Sequence, residues 1–374
     1  MLKKIIYAIG VIALLIGLWG FYERLMFGEK FVSYGSNVVW GLWVAMYFLF
    51  GGIAIGSFFV ASLEFLFGIE AFKGYGKPAL WTSLVTLAVA MMSIGFDLGH
   101  MERIWKAFLQ PNIHSGVVED VWGYTVFGIL TLIALIFAVR QPKSSVLKIV
   151  MVLGFLASLF AAGSPGKFLG NNAARLYWHA ALLPVQFVFM ALLSGAAMML
   201  VVQAFVSPKD GTKQATNILN LASIVLLVIS LYFVWAYFSQ SLYGKVPSLT
   251  DSINELISGQ YALLFWGVQI IIGAIIPLLV LVQPKLAQNK LWAGLMGLFI
   301  LIGNAVARYL IIVPGLNVTV MNNIETAFQG PGLTLSYSPS PVEWAVASGA
   351  LGIVILALLL GTDYLPLYSK KSEA

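Results

Sequence analysis

Apolar runs long enough for about 20 residues of helix recur along the whole chain. They fall at 4–22, 40–67, 77–98, 121–140, 146–163, 179–205, 215–238, 260–283, 288–313 and 342–361, separated by shorter polar stretches. The pattern predicts an all-α fold: a polytopic transmembrane helical bundle of about ten helices. Residues 1–374 form a single integral membrane domain, in which 40–205 is a motif-bearing bundle and 206–374 a second helical group. The first run has Lys3 and Lys4 ahead of it, as a signal peptide would. It continues into Trp19-Gly20-Phe21-Tyr22-Glu23-Arg24 without a small-residue cleavage site, which predicts a retained helix.

Composition agrees with the pattern. Hydrophobic residues make up 60% of the chain and charged residues 10%, against about 25% charged in a soluble domain. The net charge of +6 is first a statement about topology, because the basic residues sit in short loops beside apolar runs. Of the 21 Lys and Arg, thirteen fall on the side of the N-terminus, including Lys209, Lys370 and Lys371. Seven fall on the other side, and Arg308 lies inside a run. Both termini are therefore expected in the cytoplasm. The longer loops, 99–120, 164–178, 239–259 and 314–341, then gather on the opposite face, where they would offer a docking platform to another protein. No polar stretch interleaves basic and aromatic residues, so no nucleic-acid partner is expected.

The absence of cysteine excludes an iron-sulfur cluster, a thiolate metal site and an internal disulfide. Only three histidines are present, and of these only His179 opens an apolar run, which leaves no pair for a bis-His haem. Electrons handled by this chain must come from elsewhere.

Polar residues within or beside the apolar runs are few, and most lie at one level. The stretch 97–124, DLGHMERIWKAFLQPNIHSGVVEDVWGY, places two Asp, two Glu, Arg103, Lys106, His100 and His114 between two apolar runs. Asp97 closes the third span, and Glu119 and Asp120 open the fourth. His179 opens the sixth, with Pro184 expected to kink that helix one turn below and Gln186 on the same face. Trp178 is expected in the interfacial belt. Arg308, four residues after Asn304, calls for an acidic partner, with Asp97, Glu119, Asp120 and Glu343 as candidates. Glu64, at the far end of the second span, would snorkel or begin a proton path. Gly51, Gly52 and Gly56 form a small-residue stripe suited to close helix approach.

Several of these residues carry a resemblance. Trp40 to Gly56, WGLWVAMYFLFGGIAIG, resembles the tryptophan-led helix of the NrfD and polysulfide-reductase membrane-subunit family, with its Phe-Leu-Gly-Gly-x-x-x-Gly run. Asp97 to Trp105 resembles that family's Asp-Leu-Gly-Arg-Pro-Glu-Arg-Phe-Trp, with His100-Met101 in place of Arg-Pro. Pro111-Asn112, Ser115 and Asp120-Val121-Trp122 resemble its next motif, and Trp178-His179 with Leu182-Leu183-Pro184 and Ser194-Gly195 the one after. Ten spans match the longer, HybB-like branch.

The resemblance implies a quinone-reactive integral subunit in a prokaryotic plasma membrane. Menaquinone or ubiquinone would be its substrate, and the chain itself would carry no haem, iron-sulfur cluster, flavin or metal. Its partners would be a ferredoxin-like iron-sulfur subunit and a catalytic oxidoreductase subunit on the non-cytoplasmic side. The resemblance carries over His179, whose imidazole would donate to a ring oxygen, and Glu119 or Asp120, which would relay the proton; Asp97, at the same membrane level, and Arg308 are further cofactor-binding candidates, with Tyr47 and Trp43 next. Two other classes share the ten-span pattern. A secondary transporter would place its polar groups at the bilayer centre, and a structural anchor would leave the quinone site to a neighbour.

Overall fold

The computed structural model describes residues 2–208, 212–319, 330 and 332–368. Lys209, Lys370, Lys371 and much of the 314–341 loop lie outside them. Among the described residues, ten helices are long and apolar enough to cross a membrane. They are α1 (Leu2–Phe27), α2 (Leu42–Phe65), α3 (Gly76–Asp97), α4 (Gly116–Arg140) and α5 (Ser145–Gly170), then α6 (Leu183–Val206), α7 (Lys213–Gly244), α8 (Leu263–Leu281), α9 (Lys290–Asn317) and α10 (Pro341–Tyr364). No strand is present among them.

α2 is the axis of the bundle. Its apolar window is 94% buried, whereas that of α1 is 17% buried, so one helix is enclosed by protein and the other lies at the rim. Small residues allow the enclosure, because without a Cβ two backbones can meet. Gly56 of α2 faces the backbone of Ala191 and Gly195 in α6, and Gly273 of α8 meets Gly303 of α9. α1 lies along α10, with Gly17 against Gly349 and Gly20 against Val346. Lys3 pairs with Asp363, which brings the first turn of α1 and the last turn of α10 to the same end of the bundle. The long connections 98–115, 171–182 and 245–262 gather at the other, the loop end.

Two prolines behave differently from expectation. The run lengths place Pro165 in a loop, yet α5 continues through it to Gly170. The helix survives the missing N–H because its last turns are held from outside: Gly166 lies on the backbone of Leu183 and Pro184, and Ser164 and Lys167 reach acids of α4. Pro184 would kink a helix that began at His179. The helix begins only at Leu183, so Pro184 sits in the first turn, where no N–H is needed and no kink arises.

A third departure lies in α8, where Leu263–Ile275 winds as π-helix before Ile276 and Pro277 resume ordinary α geometry. Wider π turns are uncommon and turn side chains out of the register an α-helix would give them.

Candidate functional site

The first turns of α4 and the last turns of α5 build one polar site. Ser115 stands at the N-cap of α4, and the acids follow immediately, where the helix dipole favours negative charge. Glu119 points to the surface, its side chain 58% exposed, and pairs with Lys167. Asp120, one residue on, is only 7% exposed and accepts a hydrogen bond from Ser164 Oγ. Among the described residues, no donor satisfies its second carboxylate oxygen. These four side chains edge a cleft of about 490 Å³ whose remaining walls include Gly123, Phe160, Gly163, Pro184 and Val188. A carboxyl group set in an apolar wall, one residue from an ion pair in water, can take up or release a proton at the cleft and pass it outward.

His179 lies elsewhere. It belongs to the turn before α6, is exposed, and its Nδ1 donates to Gly170 O at 2.8 Å, against the end of α5. It stands at the mouth of a second cleft of about 520 Å³, between α6, α7, α8 and α9, which Gln186 also lines. His179 and Gln186 thus share a cleft, as their spacing suggests. Glu119 and Asp120 do not share it: Pro184 and Val188 face their cleft, while Leu183 and Gln186 face the other.

Asp97 occupies a third neighbourhood. It ends α3 beside Arg24, Glu29 and Glu343, and its Oδ1 is enclosed without a hydrogen-bond partner among the described residues. Arg24, 1% exposed, donates to Phe96 O (2.8 Å) and Leu98 O (2.9 Å), closing the carbonyl end of α3, and lies 5.8 Å from the Trp43 ring centroid. Trp43 spends its own N–H on Glu343 O at 3.1 Å. Tyr47 is buried against Tyr124, ring centroids 5.6 Å apart. Neither Trp43 nor Tyr47 lines either cleft.

Among the described residues, Arg308 lacks the acid expected for it. Arg308 is 1% exposed against Gly52, and its Nε and Nη1 have no hydrogen-bond partner among the described residues. Among the described residues, none of the four candidate acids pairs with it. Asp120 and Glu119 are taken by Ser164 and Lys167. Glu343 accepts from Tyr337 Oη (2.5 Å), Ser33 N (3.0 Å) and Ser340 N (2.8 Å). Burial first, and then the Glu343 carboxylate, pushes the Tyr337 phenol upward, so it remains the donor. Asn304 turns away from Arg308, donating to Met190 O (3.1 Å) and Ser194 Oγ (2.8 Å).

Other polar residues serve the fold. Glu64 Oε2 accepts from Gly74 N (2.9 Å) and Gly76 N (2.6 Å), anchoring the start of α3. Trp178, expected at the interface, is 1% exposed and donates to Ile311 O at 2.7 Å. His100 is exposed and lies 3.0 Å from Glu102. Sequence reasoning missed Arg24, Ser164 and Lys167 as site-forming residues. The last two lie in Ser164-Pro165-Gly166-Lys167, whose proline and glycine signal a loop.

Comparison with known proteins gives this architecture a lineage. The chain is 26% identical over 413 residues to a subunit of the selenate reductase of Mesobacillus selenatarsenatis, covering 100% of this chain and 96% of that one. It is 23% identical to the Hdr-like menaquinol oxidoreductase integral membrane subunit of Archaeoglobus fulgidus, over 98% and 94% of the two chains. With the menaquinone reductase integral membrane subunit of Nitratidesulfovibrio vulgaris it shares 21% identity over 96% and 90%. Residues 32–320, from the approach to α2 through α9, match the family described as polysulphide reductase, NrfD, and the chain belongs to that family.

Proposed function

We propose that this chain is the quinone-reactive membrane subunit of a respiratory oxidoreductase, and that the α4–α5 cleft is where the quinone ring reacts. The observation that carries the reading is Asp120: a carboxyl group 7% exposed, held by Ser164, on the wall of an otherwise largely apolar cleft. Reducing a quinone to a quinol takes two electrons and two protons, and the reverse step releases them. Asp120 is placed to exchange protons with a ring oxygen. Glu119 and Lys167 at the rim connect it to water.

The electrons come from a partner, because a chain with no cysteine cannot hold a cluster. A ferredoxin-like iron-sulfur subunit, with its catalytic subunit, is read onto the loop end. The support is the 98–115 connection, where Leu109 (76% exposed) and Ile113 (81%) offer apolar contact beside the charged residues Glu102, Arg103 and Lys106. Relatives named as subunits of selenate reductase and menaquinone reductase support the same reading. With the termini taken as cytoplasmic, from the thirteen-to-seven bias, this face is the non-cytoplasmic one.

The test is the assembled complex carrying Asp120→Asn. Quinone-linked turnover should be lost while the catalytic partner still reacts with an artificial dye. Full quinone-linked turnover in that variant would move the reaction away from this cleft.

A further inference from the structure

The cleft between α6, α7, α8 and α9 has no task in the reaction described above, yet its lining is specific. Its lining includes Gln186 from α6 and Gln269 from α8. Among the described residues, neither side-chain amide makes a hydrogen bond to protein. Both lie within apolar spans, where a carboxamide left without a partner is costly. Gln269 belongs to the π-wound segment of α8, a local distortion that recurs at functional sites. Unpaired amides and irregular winding are therefore two independent features of one place.

The lining also restricts the occupant. Among the described residues, no Asp, Glu, Lys or Arg lines this cleft, so a phosphate or carboxylate headgroup would find no fixed counter-charge there. Its tyrosine hydroxyls are engaged, Tyr177 Oη with Leu310 O at 2.8 Å and Tyr237 Oη with Tyr177 O. Phe233, Phe238 and Phe265 supply aromatic wall, and about 520 Å³ admits a ring with the first part of an apolar tail. What fits is a neutral, flat head bearing oxygen acceptors or hydroxyls, on a lipid-soluble tail.

We infer that this cleft is a second binding site for a quinone-class ring, with the Gln186 and Gln269 carboxamides as its hydrogen-bonding partners. The choice of a quinone among neutral rings rests on the reaction proposed above. The existence of a site for a neutral amphiphile rests on the cleft alone.

Photolabelling of the purified complex with an azidoquinone, followed by peptide mapping, tests it. Two separate sets of adducts are expected, one on α4–α5 and one on α6–α8. The Gln186→Leu/Gln269→Leu double variant should lose the α6–α8 set by about tenfold, the loss of two modest hydrogen bonds, and retain the α4–α5 set. Ala307→Phe, which fills the same cleft and keeps both glutamines, should do likewise, and excess unlabelled quinone should compete in the wild-type complex. Adducts confined to α4–α5, an α6–α8 set unchanged in both variants, or displacement of that set by phospholipid but not by quinone would overturn the second site. Adducts on α6–α8 alone would keep it and overturn the assignment of the reaction to Asp120.

Discussion

The two clefts flanking the first turns of α6 are close in volume, about 490 and 520 Å³, and opposite in chemistry. One has a carboxyl group with a hydroxyl donor and an ion pair at its rim; the other has the Gln186 and Gln269 carboxamides, neither bonded to protein, and no Asp, Glu, Lys or Arg among its described lining residues. Proton-coupled chemistry needs a group that changes protonation, and the first cleft has buried Asp120 in its wall, whereas the second has the exposed His179 at its mouth, with Nδ1 already held by Gly170 O. Amides recognise without titrating, so the second is equipped for binding. A single helix separates the two, and its placement against α2 decides whether either exists.

That dependence gives the largest expected effect. Gly56 of α2 and Gly195 of α6 meet backbone to backbone, and a side chain at either would push the helices apart. Gly56→Val should cost more than about 3 kcal/mol, the upper end of ordinary overpacking. Both clefts should disappear together, seen as failure to recover assembled protein from membranes. Recovery of normal complex in that variant would show that α6 is positioned from elsewhere.

Next comes the difference between the clefts themselves. Asp120→Asn keeps shape and hydrogen-bonding capacity but removes the titratable group, and quinone turnover should fall about 100-fold or more. Quinone labelling on α6–α8 should be unaffected. If the variant instead lost both together, the clefts would be parts of one site.

Much of this fold is legible in the sequence, because spans declare themselves by length and apolarity alone. All ten appear near their expected positions, although several ends differ by several residues. How the helices pack is far less legible. A helix apolar all round shows no stripe that names its neighbours, so a shared membrane level suggests that Asp97, Asp120 and His179 meet. The structure puts them in three places. Pro165 and Pro184 mislead for the same reason: tertiary contacts from α4 and α6 carry α5 through one, and a late helix start leaves the other harmless. The rule that buried charges pair gives Arg308 an acid, yet Asp120, Glu119 and Glu343 are taken by Ser164, Lys167 and Tyr337, and Asp97 lies beside Arg24 instead.

A smaller effect is expected at the rim of the acidic cleft. The Glu119–Lys167 pair is partly exposed on both sides, and such pairs contribute roughly 0–1 kcal/mol. Lys167→Met should leave assembly intact and slow quinone turnover about two- to fivefold, with reduced sensitivity to ionic strength, since screening acts on exposed charge. A loss as large as that of Asp120→Asn would place Lys167 in contact with the ring rather than on the route to water.

The smallest expected effect separates the structure from the sequence reading most sharply. The family resemblance makes His179 the ring's hydrogen-bond donor, and His179→Leu would then abolish turnover. In the fold its Nδ1 is committed to Gly170 O, the last carbonyl of α5, at 2.8 Å, and Pro184 and Val188 of α6 stand on the Asp120 side while His179 stands on the other. Its exposed ring therefore ties the 171–182 turn to the helix that presents Ser164 and Lys167. Removing one such hydrogen bond costs about 1 kcal/mol. His179→Leu should lower the thermal midpoint of the complex slightly and leave quinone turnover within about twofold, because 1 kcal/mol spread over the whole chain barely shifts the position of Ser164. His179→Asn, able to donate to the same carbonyl, should restore the midpoint. A hundredfold loss of turnover in His179→Leu with an unchanged midpoint would show that the imidazole reaches the reacting ring, and would move the reaction from the carboxylate cleft to the amide one.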